Sequence, residues 1–189
     1  MTSSDRQADE TSHIGQADRA AHVDQMPRQL PAQISLIVAV FLTGLFAGFF
    51  VTYEISVTRG LAEVDDLTYV ETFQWINDTV LNLEFFVIFF VTVPSLVAAL
   101  VLNRRGERLP TALLASALVM ALATVVITVT GNVPLNNELA EYETLTPEIA
   151  RTARVAFEEP WNRLNLFRTL TAVVAAVCVT VAAVVRRVR

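Results

Sequence analysis

Four apolar runs of bilayer length, at residues 34–53, 85–102, 111–130 and 164–185, constrain this 189-residue chain more than any other feature. About 20 helical residues cross the ~30 Å hydrocarbon core of a membrane, and each run is close to that. A soluble domain of this size can build its core without them. No run of about ten alternating residues suggests a transmembrane barrel. The expected fold is therefore an all-α membrane protein. Residues 34–189 should form a four-transmembrane-helix bundle with two extracytoplasmic helical loops.

Residues 1–33 are polar and hold few large apolar side chains, which predicts a disordered cytoplasmic tail. The tail is too long and acidic to read as a secretory signal. His13 and His22 both fall in it, so no histidine lies in or near a span. Cys178 is the lone cysteine and reads as a small core residue. A His-ligated metal or haem inside the bundle is not expected, and no cofactor is assigned. The net charge of −5, with scattered arginines as the only basic residues, argues against nucleic acid as a partner.

Arg104, Arg105 and Arg108 sit between the second and third runs, and Arg186, Arg187 and Arg189 follow the fourth. Four spans put both groups on one side. The positive-inside rule makes that side cytoplasmic, so both termini are expected there in a multi-pass plasma-membrane protein. The first span carries Gly44 and Gly48 in a small-xxx-small pattern, which suits an internal helix contact or a seam with a second copy or a membrane partner.

Between the first two spans, Asp65 or Asp66 can cap an amphipathic helix that buries Leu67, Val70, Phe73, Ile76 and Val80. Tyr69 and Trp75 suit the headgroup region. Pro94 should kink the second span. Pro134 and its neighbouring asparagines read as a turn ending the third. Thr146-Pro147-Glu148 reads as a helix start, with that helix ending near Glu158 ahead of Pro160.

The outer ends of four spans must share one depth. Glu54, Glu84, Asn132, Asn136, Trp161, Asn162, Asn165 and Arg168 can thus meet around the bundle mouth. If the fourth span began after Arg168, only about 25 Å of helix would remain, so Arg168 belongs at the hydrocarbon edge. There a carboxylate, Glu54 or Glu84, is its natural partner. Trp161, Asn165 and Arg168 share a helix face by their i, i+4, i+7 spacing. Interfacial solvation alone also accounts for each of these residues, and only their convergence points to a site.

The segments TYEISVTRGLAEVDD, VETFQWINDTVLN, TGNVPLNNELA and ARVAFEEPWNRLNLFRTLTAVVA resemble the anthrone oxygenase-like family of four-helix membrane proteins. The resemblance spans nearly everything after the tail. Its most specific parts are N-V-P-L-N at 132–136 and W-N-R-x-N-x-x-R at 161–168. It implies oxidation of an anthrone-type polyketide to an anthraquinone with dioxygen and no known cofactor. Read as such an enzyme, Glu54 or Glu84 would be the base and Arg168 would hold the developing oxyanion. Asn132, Asn136, Trp161, Asn162 and Asn165 would bind the substrate. The other class that fits is a non-catalytic membrane accessory subunit, or a binder of a small hydrophobic ligand.

Overall fold

In a computed structural model, residues 30–104 and 107–187 are described, with the side chain of residue 187 left out. The tail expectation falls on residues 1–29, outside the described residues, whereas residues 30–33 are helical. Among the described residues there are helices and no strands. Helix α1 runs Leu30–Ala62, α2 Asp66–Val80, α3 Leu83–Asn103, α4 Arg108–Ala140 and α5 Pro147–Arg187. Four of them, all but α2, are long and apolar enough to cross a membrane. The chain is a multi-pass membrane protein built as an all-helical bundle.

Packing follows the physics of a lipid-solvated core. At the end of the bundle bearing Asn103 the interior is small: Ala39, Ala99, Ala117, Ala121, Ala175 and Ala182 let the helices approach closely, with Leu36, Leu96, Leu114 and Val179 between them. Outward faces carry Phe41, Val91, Val119, Val177 and similar exposed apolar residues, suited to lipid tails. Asn103 donates to the carbonyls of Ala32 (3.3 Å) and Ala99 (2.6 Å), tying α1 to α3 at that end. The close internal contact expected at Gly44 and Gly48 is not made. A Cβ on either would meet nothing within 4 Å, and both lie on an exposed face of α1.

The opposite end is a helical cap. Here the helices outrun the expected spans, because their extensions bury a second core of Tyr69, Val70, Phe73, Leu139, Phe157 and Trp161. Asp65 caps α2 as expected, accepting from the backbone N–H of Leu67 and Thr68 (3.1 Å each). Gln74 of α2 donates to the carbonyl of Leu139 (2.8 Å), fixing α2 against the end of α4. Tyr69 is buried instead of reaching the headgroups, while Trp75 is exposed. Arg154 of α5 lies over the Tyr69 ring at 4.4 Å and donates to Val64 O (2.7 Å), Ala62 O (3.2 Å), Asp66 and Glu158. Burial pushes the Tyr69 phenol well above its ordinary range, with Glu158 reinforcing and Arg154 opposing.

Both proline expectations in the cap are corrected. Pro160 lies inside an unbroken α5. Phe157 and Trp161, on either side of it, are locked in the cap core, and the carbonyl it frees belongs to exposed Ala156. Pro134 and the asparagines likewise continue α4 to Ala140 instead of ending it. The register is reset just before Pro134 by a π-helical turn at Thr128–Asn132, where Val133 N–H reaches Thr128 O. A matching π turn, Tyr53–Val57, carries α1 past its expected end.

Candidate functional site

The two π turns face α5 at the level of Trp161–Arg168. Inserting one residue into a helical turn re-aims the side chains around it, and such turns collect at functional sites. The first turn supplies Tyr53 and Glu54, the second Thr128 and Asn132. Gly131, in the second, lets α4 come close to α5: an added Cβ would sit 2.8 Å from a terminal methyl of Leu164.

Arg168 is the centre of the arrangement and is only 6% exposed. Its guanidinium lies 5.0 Å from the ring centroids of both Phe50 and Trp161, a double cation–π contact. One Nη donates to Asn165 Oδ1 at 2.9 Å, and Asn165 Nδ2 donates to Glu54 Oε2 at 2.9 Å. The expected pairing of Arg168 with Glu54 is therefore bridged by Asn165, and among the described residues no carboxylate forms an ion pair with Arg168. Its Nε is buried without a hydrogen-bond partner.

The asparagines of α4 lock onto Trp161. Its indole N–H donates to Asn136 Oδ1 (2.8 Å), and Asn132 Nδ2 donates to the Trp161 carbonyl (3.3 Å). Asn132 is fully buried and its Oδ1 has no partner. Trp161 also stacks edge-on with Phe73, centroids 4.8 Å apart. The tryptophan expected at the bundle mouth is thus a buried strut of the site.

These groups head a cavity of about 200 Å³. Its polar wall is Arg168, Asn132, Asn136, Tyr53, Asn77 and Thr128, and its apolar wall is largely phenylalanine, including Phe49, Phe85 and Phe89. Phe90, Val129 and Val133 border it and are exposed on the lipid-facing surface, so the cavity opens sideways between α3 and α4. The volume is below the ~300 Å³ typical of drug-sized ligands.

Two expected site residues stand apart. Glu84 is exposed in the first turn of α3 and does not line the cavity. Asn162 faces a wide charged groove on the outer side of α5, beside Asp66, Arg154, Glu158 and Glu54. Its Oδ1 is buried there without a partner. Glu54 lines this groove and not the cavity. Sequence reasoning missed Tyr53 and the phenylalanine wall, although the run Phe49-Phe50-Val51-Thr52-Tyr53 leads directly to Glu54. Among the described residues no three His, Cys, Asp or Glu side chains gather as a metal-binding group.

No curated protein and no solved structure matches the chain. The family model for anthrone oxygenase matches residues 82–178, a stretch that includes α3, the second π turn, Trp161, Asn165 and Arg168. The chain belongs to the anthrone oxygenase family.

Proposed function

We propose that the chain is a membrane oxygenase that oxidises a flat, apolar phenolic substrate of the anthrone type in the cavity headed by Arg168. The observation that carries this reading is a buried cation with an unpaired Nε, held between two aromatic faces and lacking a carboxylate partner. A buried charge without a counter-ion is costly, and an anionic ligand offsets that cost. Loss of a proton from the ring methylene of an anthrone gives an enolate whose negative oxygen fits the guanidinium. Dioxygen then accepts electrons from that carbanion-like ring. One oxygen atom becomes the new carbonyl and the other leaves as water with the two methylene hydrogens. The phenylalanine wall and Trp161 match the flat ring, and the sideways opening matches arrival from lipid.

Glu54 supports this site by holding Asn165, which orients Arg168. Asn132 and Asn136 complete its polar rim. To test the reading, the purified protein is mixed with an anthrone under air and quinone absorbance is followed. Wild type should exceed Arg168→Ala by about 100-fold or more. A wild-type rate equal to that of a Glu54→Gln, Arg168→Ala double variant overturns it.

The same reading sets the cavity end of the bundle outside the cytoplasm, because Arg104, Arg108 and Arg186 lie at the other end. A Glu141→Cys variant should then react with an impermeant thiol reagent on intact cells. The open Gly44–Gly48 face favours a second reading, an accessory subunit docked through α1. Crosslinking in detergent that recovers a stoichiometric partner would favour it.

A further inference from the structure

We infer that Tyr53, not a carboxylate, is the group that exchanges a proton with the ligand in the Arg168 cavity. This rests on the oxygenase reading of that cavity. Among the described residues, only two ionisable side chains line it, Tyr53 and Arg168. Glu54 opens onto the charged groove on the other side of α5 and reaches the cavity only through Asn165, and Glu84 is exposed on α3. A base must come within hydrogen-bond reach of the proton it takes, and neither carboxylate lines the cavity.

Tyr53 meets the requirement. The first π turn begins at this residue, and its ring sits 5.0 Å from Phe49 and 6.0 Å from Trp161. Its hydroxyl makes no hydrogen bond among the described residues, and it lines the same cavity as Arg168. Other groups around it carry no charge: Thr72, Ile76 and Val80 from α2, Phe85 from α3, Asn132 and Asn136 from α4. Tyr53 also lines an open depression with Thr72, Ile76 and Thr79. It is the one ionisable residue shared between cavity and depression, so a proton taken on one side can leave to water on the other.

The step balances without dioxygen. The Tyr53 phenolate oxygen forms an O–H bond as the substrate C–H bond breaks. The electron pair stays on the ring as an enolate, whose oxygen faces Arg168. The phenol then returns its proton to water. Arg168 then stabilises the negative enolate oxygen.

The half-reaction is followed by NMR as exchange of the anthrone methylene hydrogens for deuterium in D2O under nitrogen, with quinone formation measured separately in air. Wild type should catalyse exchange, Tyr53→Phe should lose about 100-fold or more, and Glu54→Gln should lose far less. Replacing tyrosine by a fluorotyrosine in the otherwise native protein should move the exchange-rate profile to lower pH. That measurement holds even where Tyr53→Phe is poorly folded. Undiminished exchange in Tyr53→Phe, a loss in Glu54→Gln as large as in Tyr53→Phe, or an unmoved profile overturns the assignment while quinone formation in air keeps the oxygenase reading. Exchange that depends on Tyr53 with no quinone in air upholds the assignment and removes the oxygenase. Absence of exchange in wild type overturns the assignment.

Discussion

Arg168 shows how one residue can organise a site through what it lacks. Arginine in a membrane interior is costly unless it finds a carboxylate, a carbonyl or water. Here it has two aromatic faces and a single amide oxygen. Asn165 links it to Glu54, so the carboxylate sets the orientation of the guanidinium without neutralising it. Asn165→Ala should therefore act on both neighbours, leaving the guanidinium and the carboxylate each short of a hydrogen bond. The expected cost is about 1–3 kcal/mol of stability. It should appear as a lower midpoint in detergent-solubilised thermal unfolding. An unchanged midpoint contradicts the bridge. Part of this arrangement is legible in the chain. The spacing of Trp161, Asn165 and Arg168 put them on one face, and they do converge with Asn132, Asn136 and Glu54. Glu84 stands apart from them, exposed in the first turn of α3, because equal depth in a membrane does not imply the same side of a helix.

At the scale of elements, the chain signalled where helices begin better than where they end. Asp65 before Leu67 and Thr146 before Pro147 are local capping chemistry, and both are observed. Helix ends at Glu54, Pro134 and Glu158 were inferred from polar residues and prolines. The cap core overrides all three, because Leu61, Leu139 and Trp161 are buried in it only if the helices extend. The π turns have no sequence signature, so the aim of Tyr53 and Asn132 could not be foreseen. The Asp65 cap gives a pH test. The Thr68 hydroxyl, then the Thr68 and Leu67 backbone amides, hold its carboxyl below the usual range. A depressed value in the fold means its stabilisation is complete above the ordinary aspartate value of about 4 and lost as pH falls through the depressed one. Protection of the first-turn amides of α2, relative to their intrinsic exchange rates, should therefore fall in acid, and Asp65→Asn should flatten that response. An identical response in the variant contradicts the assignment.

For the whole molecule, the sequence made the bundle plain, since four apolar helices need only length and hydropathy. The two expected helical loops pack together as a second helical core seated on the bundle. That core explains why a four-helix membrane protein holds a buried polar cluster at all. Phe73 and Phe157 clamp Trp161 from the cap side, Asn132 and Asn136 hold it from α4, and Trp161 covers Arg168. The cavity then lies at the junction of cap and bundle, open toward lipid beside Phe90 and Val133. The most direct measurement is an experimental structure of the protein in lipid with a hydroxylated anthraquinone bound. The account predicts the flat ring against Trp161 and the phenylalanine wall, with a ligand oxygen about 3 Å from the Arg168 guanidinium. A ligand seated in the outer charged groove, with Arg168 untouched, would contradict it.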